Sequence, residues 1–97
     1  MIATFLPAAE QEFLGALAWY LSEGTPAVAR DFDHAVQRAL RLLVFMPRLG
    51  TPAYRQTRLW PLKGFPYTLV YRVTHDELTV LAVAHQSRAV GYWRGRK

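Results

Sequence analysis

The chain has 97 residues, of which 52% are apolar, and a formal net charge of +5. This length fits one domain, residues 1–97, with a single hydrophobic core. It contains no cysteine, which excludes disulfides, thiolate metal sites and cysteine nucleophiles and suits a reducing cytosol. No run approaches the roughly 18 apolar residues of a membrane span, and residues 1–7 do not resemble a signal peptide. We therefore predict a cytoplasmic domain without a membrane anchor.

The charge is unevenly distributed along the chain. Up to Met46, five acidic residues outnumber three basic ones, whereas from Pro47 onward nine basic residues face two acidic ones. One end of the domain should therefore carry a positive field that attracts nucleic acid or an acidic protein surface. Small basic domains are also common for reasons of solubility, so charge alone does not assign a function.

Two helices are predicted in the first half of the chain. Ile2–Leu6 is short and apolar, as in a strand that ends at a proline. Apolar residues recur at helical spacing over Pro7–Leu21. Thr25 and Pro26 then provide an N-cap and a first-turn proline for a second helix, which should end before Pro47. The short connection predicts an antiparallel helix hairpin.

The second half changes to the alternating pattern of strands. After a loop over residues 47–56, we predict strands at Thr57–Leu62, Pro66–Thr74 and Glu77–His85. A two-residue turn between the last two would create a wholly apolar face, formed by Tyr67, Leu69, Tyr71, Val73, Leu78, Val80, Ala82 and Ala84. The other face would be mixed and open to solvent or a partner, and it would include Thr68, Arg72 and His85.

These elements together predict an α+β fold of order βααβββ. The N-terminal helix hairpin should pack on the apolar face of a mainly antiparallel sheet. The segment after Gln86 interleaves aromatic and basic side chains, which can stack on bases or anchor a protein interface. For Trp93 we favour the simpler interpretation that its side chain packs on the sheet.

Three motifs occur in a characteristic order. Pro47–Gly50 reads PRLG, and Phe65–Val73 reads FPYTLVYRV. Val80–Arg88 reads VLAVAHQSR and is followed by Tyr92–Arg94, YWR. In this order the motifs resemble those of the RelE/ParE toxin superfamily, and the resemblance spans nearly the whole chain. Ala89–Gly91 departs from the family pattern, in which a proline is common.

The resemblance implies a toxin of a type II toxin–antitoxin system that is neutralised by a cognate antitoxin. Such antitoxins typically wrap a partly disordered segment around the toxin, which gives a toxin–antitoxin hetero-oligomer. We predict antitoxin contacts at Trp19, Tyr20 and Arg72. We predict no cofactor and no metal, because the three histidines are too dispersed in the sequence to form a metal site.

The superfamily divides by target. RelE-like members cut messenger RNA on the ribosome, whereas ParE-like members bind DNA gyrase and perform no chemistry. Thr68 stands where RelE-like nucleases usually carry an arginine, and this favours a ParE-like gyrase inhibitor. A ribosome-dependent mRNA endoribonuclease is the alternative, and a non-toxic binding module is the third possibility. The shared fold does not decide among them.

The candidate site residues follow from this resemblance and from the basic tail. If the protein were a ribonuclease, the catalytic candidates would be His85, Arg88, Tyr92, Arg58 and Lys63. Among these, His85 could exchange protons near neutral pH, although a local hydrogen bond at the strand end is the simpler role. Target binding is predicted for Arg58, Lys63, Arg72, His85, Arg88, Tyr92, Trp93, Arg94 and Arg96.

Overall fold

The computed structural model describes residues 1–97 and places two helices on one face of a five-stranded sheet. The helices are α1 (Pro7–Glu23) and α2 (Pro26–Phe45). The strands are β1 (Ile2–Phe5), β2 (Thr51–Pro52), β3 (Thr57–Pro61), β4 (Tyr67–Thr74) and β5 (Glu77–His85). The predicted α+β class and element order are confirmed, except that the short β2 was not predicted. Neither helix is long and apolar enough to cross a membrane.

The strands lie in the order β1-β5-β4-β3-β2. β1 runs parallel to β5, and the other neighbours are antiparallel. The last pair between β1 and β5 is Phe5 with Val80. β5 continues to His85, so its second half has no neighbouring strand on that side.

The helix hairpin forms as the capping residues predict. Pro7 and Pro26 occupy the first positions of the two helices, and the Thr25 hydroxyl accepts a hydrogen bond from the Val28 N–H at 3.1 Å. The apolar stripe of α2 faces the sheet, and Phe32 in this stripe is completely buried. Full burial of a side chain of this size contributes roughly 1.5–3 kcal/mol, so this stripe helps to hold the hairpin on the sheet.

The pairing of β4 with β5 follows the prediction only near the turn. Tyr71 pairs with Val80 as predicted. A β-bulge then leaves Leu81 without a partner, and Leu69 pairs with Val83, one residue later than expected. The predicted pairs for residues 67–70 are therefore wrong by one position, because a bulge inserts one extra residue into a single strand.

The bulge changes which side chains share a face. His85 was expected on the mixed face, but it pairs with Tyr67 on the helix side, where the two ring centroids are 5.0 Å apart. Ala82 moves in the opposite direction, away from the helices. A small second core thereby forms on the helix-free face, and its members are Val70, Leu81, Ala82 and Trp93.

The loop after α2 is fixed to the sheet by a buried tyrosine. The Tyr71 hydroxyl donates a hydrogen bond to the Pro47 carbonyl at 2.7 Å and accepts one from the Gly50 N–H at 2.9 Å. The Arg58 guanidinium donates to the Gly50 carbonyl at 2.8 Å and to the Arg48 carbonyl at 3.1 Å. A Cβ atom on Gly50 would lie 2.5 Å from the Tyr71 hydroxyl oxygen, so only glycine fits.

We expect Gly50→Ala to lower the free energy of unfolding by about 2–3 kcal/mol, because the added methyl group must displace the Tyr71 hydroxyl. Gly15→Ala is the matched control. A Cβ at Gly15 in α1 would meet nothing within 4 Å, and the change should raise the stability by about 0.5–1 kcal/mol. Urea denaturation measures both values. Equal stability of Gly50→Ala and the unchanged protein would contradict the close approach.

Candidate basic docking groove

The C-terminal residues fold back over the sheet face that the helices leave uncovered. Trp93 is only 6% exposed and packs in the second core, which confirms the packing interpretation. Turns lead the chain to this position: the Tyr92 N–H bonds to the Ala89 carbonyl and the Arg94 N–H to the Gly91 carbonyl. Gly91 has a φ of 75°, a conformation that glycine adopts at little cost. We call residues 86–97 the tail.

Glu12 of α1 anchors the tail. Its carboxylate accepts two hydrogen bonds from Arg96, at 2.8 and 2.9 Å, and one from the Tyr92 hydroxyl at 2.7 Å. The carboxylate also accepts a hydrogen bond from the Val83 N–H at 3.0 Å. Arg96 donates a further hydrogen bond to the Leu81 carbonyl at 2.9 Å. Leu81 and Val83 lie on β5 beyond the end of β1. We call Glu12, Tyr92 and Arg96 the tail anchor. It forms hydrogen bonds with the part of β5 that has no neighbouring strand on the β1 side.

The charges of the tail anchor reinforce one another. Burial alone would raise the pKa of the Glu12 carboxyl, but the hydrogen bonds from Arg96, Tyr92 and Val83 outweigh it and hold that pKa below its usual value. The hydrogen bond to Glu12 raises the pKa of Arg96. Burial, together with the Glu12 carboxylate, raises the pKa of Tyr92 to about 12. At neutral pH the ion pair is fully charged, and the Tyr92 hydroxyl acts as a donor.

A groove of about 320 Å³ lies on this face, between the tail and the turn that precedes β3. No acidic residue lines it, whereas five cationic side chains do: Arg55, Arg72, Arg94, Arg96 and Lys97. We call these five residues together with Tyr54 the basic groove. The ion pairs of the structure all involve Glu12, with Arg88 and Arg96. The other four cations of the basic groove therefore have no carboxylate partner.

The turn Tyr54–Gln56 forms the second wall of the groove. Arg55 and Gln56 adopt left-handed φ values of 49° and 64°, which cost non-glycine residues roughly 1–2 kcal/mol each. The Thr57 hydroxyl donates to the Tyr54 carbonyl and closes the turn. The guanidinium carbons of Arg55 and Arg94 lie 5.5 and 5.0 Å from the centroid of the Tyr54 ring, within range of cation–π attraction.

The structure brings only part of the predicted target-binding set to the groove. Arg72, Arg94 and Arg96 line it together with Trp93, which is buried beneath them. Arg88 lies outside it, with its guanidinium 3.9 Å from the centroid of the Tyr92 ring and 3.9 Å from Glu12. Tyr92 is part of the tail anchor and does not line the groove either.

The remaining predicted residues lie elsewhere. Arg58 bonds the loop after α2, and Lys63 lies in the turn between β3 and β4. His85 Nδ1 accepts a hydrogen bond from the Ser87 N–H at 3.0 Å and lies 2.8 Å from the Ser87 hydroxyl oxygen. The local role considered for His85 is thus the observed one. Among the five residues proposed for catalysis, Arg88 and Tyr92 contact each other, whereas Arg58 on β3 and His85 on β5 belong to strands on opposite sides of β4.

The predicted antitoxin contacts do not share one surface. Trp19 is 57% exposed and lies edge-on to Tyr20, with ring centroids 5.3 Å apart. Both line a second groove of about 370 Å³ with Tyr67 and His85, on the helix side of the sheet. Arg72 lies on the opposite face, in the basic groove.

Three residues that build the candidate site were not predicted, Glu12, Tyr54 and Arg55, and Lys97 was expected only as part of the basic C-terminal segment. The adjacent aromatic and basic residues Tyr54 and Arg55 repeat the character of the tail, and this signal could have identified them. Nothing in the sequence near Glu12 indicates its role, because its partners lie up to 84 residues away.

We expect Glu12→Gln to lower the free energy of unfolding by roughly 1–3 kcal/mol, because the amide leaves Arg96 without its charged partner and loses one acceptor atom. Since the pKa of Glu12 is lowered by folding, its contribution is present above about pH 4.5 and is lost as the pH falls through the lower folded value. Denaturation curves from acidic to neutral pH should show the two proteins converging in acid. Glu10→Gln, an exposed change in the same helix, should alter stability little at any pH. A pH-independent difference for Glu12→Gln would contradict this assignment.

Comparison with known proteins identifies the family. The family model for the ParE toxin of the type II toxin–antitoxin system parDE matches residues 3–90. Among solved structures, a chain of the chromosomal ParDE toxin–antitoxin system from P. aeruginosa has a TM-score of 0.74 at 17% identity, covering 88% of this chain and 95% of that chain. No curated protein sequence matches. Because the family match covers most of the sequence, the chain belongs to the ParE toxin family of type II toxin–antitoxin systems.

Proposed function

We propose that this ParE-family toxin inhibits DNA gyrase by docking through its basic groove. The observation that carries the proposal is the concentration of four cations without carboxylate partners on a face free of helices. Such a surface attracts an anionic macromolecular target and speeds its association. The tail anchor holds one wall of the groove in place, so the tail loses little conformational entropy when a target binds.

The surroundings of the catalytic candidates support inhibition by binding rather than RNA cleavage. Metal-independent cleavage requires cations and a proton donor or acceptor around one phosphate. The Tyr92 hydroxyl is committed to Glu12 and has a pKa of about 12. The Arg58 guanidinium donates hydrogen bonds to two carbonyl groups of the loop after α2. Thr68, at the position of the usual nuclease arginine, adds no charge.

For the antitoxin, we propose a contact on the helix side. Trp19 offers a large exposed aromatic surface beside a groove, a common feature of residues that dominate binding energy. Arg72 would be covered as well only if the antitoxin segment passed around the sheet to the other face. Neutralisation would then result from covering the basic groove with acidic residues, because the charges are complementary.

We expect the purified toxin to inhibit supercoiling by gyrase. Arg72→Glu with Arg94→Glu should raise the half-inhibitory concentration by roughly tenfold or more, because reversed charges repel the target. The matched control is Arg30→Glu with Arg41→Glu, which changes the net charge equally on the exposed side of α2 and should leave inhibition nearly unchanged. Gel-based supercoiling assays measure all three proteins.

The same assay separates the alternatives. Equimolar addition of the cognate antitoxin should restore supercoiling. Unchanged supercoiling with active, folded toxin, together with cleavage of ribosome-bound message, would reject gyrase inhibition in favour of the endoribonuclease.

A further inference from the structure

We infer that the basic groove binds the phosphodiester backbone of duplex DNA directly. The inference specifies the ligand of the groove. It rests on the proposed function only in assuming that the toxin encounters this DNA in the gyrase–DNA complex. Binding to free DNA requires no gyrase and can be measured separately.

The cations of the groove suit phosphate. Arg55, Arg72 and Arg94 have no carboxylate partner, and guanidinium groups bind phosphate oxygens through paired N–H donors. Lys97 adds a further positive charge beside them. Sequence-independent association with DNA is dominated by the neutralisation of backbone phosphates, which is the contact that these four cations offer.

The groove offers little to a protein segment. Its apolar members besides Tyr54 are Leu81 and Trp93, which are only 1% and 6% exposed. Peptide recognition relies on apolar or aromatic anchors that enter a pocket, and no such pocket is open here. The accessible lining is therefore cationic, which favours a polyanion over an apolar peptide.

The groove also lacks a platform for unstacked bases. Single strands bind where aromatic rings are free to stack on successive bases. Trp93 is buried, and the guanidinium groups of Arg55 and Arg94 lie over the Tyr54 ring. Duplex DNA, whose bases are already stacked, requires only backbone contacts and so matches the groove better than a single strand.

The tail anchor gives the groove a fixed shape. Arg96 is held by Glu12, so its neighbours Arg94 and Lys97 are presented at the rim without free movement of the chain. Preorganised cations lose less conformational freedom on binding than cations on a disordered tail. The geometry thus assigns Arg96 a positioning role and its neighbours the contact with phosphate.

The test is fluorescence anisotropy of a short labelled DNA duplex of mixed sequence, titrated with the full-length toxin. With about four phosphates contacted, affinity should fall roughly 100-fold between about 50 and 200 mM salt. Arg72→Glu with Arg94→Glu should weaken binding at low salt at least about tenfold and reduce the salt slope by about two. The control pair Arg30→Glu with Arg41→Glu should retain both the affinity and the slope.

Three results would overturn the inference: no binding at low salt, equal losses in the groove pair and the control pair, or tighter binding to a single strand or an RNA duplex of the same sequence. Failure here and failure of gyrase inhibition are distinguishable. Inhibition of gyrase without DNA binding would remove only this inference. DNA binding without any effect on supercoiling would remove only the proposed function.

Discussion

One partly buried carboxylate decides where the tail lies, and the candidate site depends on that position. Glu12 accepts four hydrogen bonds, from Arg96 twice, from Tyr92 and from the backbone of Val83. A charge withdrawn from water is tolerated only when its acceptor sites are filled in this way. The pairing of β1 with β5 ends at Val80, so the Val83 N–H has no partner strand on that side. The Glu12 carboxylate accepts the hydrogen bond that a neighbouring strand would otherwise accept. A residue of the first helix therefore sets one wall of a groove built from the last residues of the chain.

The β-bulge at Leu81 determines which side chains of β5 lie on each face of the sheet. It sends Val83 and His85 to the helix side and turns Leu81 and Ala82 toward the tail. Trp93 can then bury its ring on the helix-free face. The groove lined by Trp19 and the basic groove thus lie on opposite sides of the sheet.

Features of the fold that depend on local interactions could be predicted from the sequence, whereas features that depend on long-range contacts could not. The helix limits follow from local signals such as Thr25 and Pro26, and the strands follow from alternation. The bulge was missed because Val80–Ala84 is continuously apolar, so an inserted residue breaks no pattern. Placing Trp93 in a core was possible from its size and apolar character, whereas the role of Glu12 was not, since its partners belong to distant β5 and to the tail.

The position of the tail depends on a strong coupling between Glu12 and Arg96. A double-mutant cycle of Glu12→Gln and Arg96→Gln, measured as free energies of unfolding at neutral pH, tests it most directly. We expect a coupling energy of about 1–3 kcal/mol, because each single change leaves the other side chain half-buried without its partner. Additive effects within about 0.5 kcal/mol would show that the two side chains act independently, and the tail would need a different anchor.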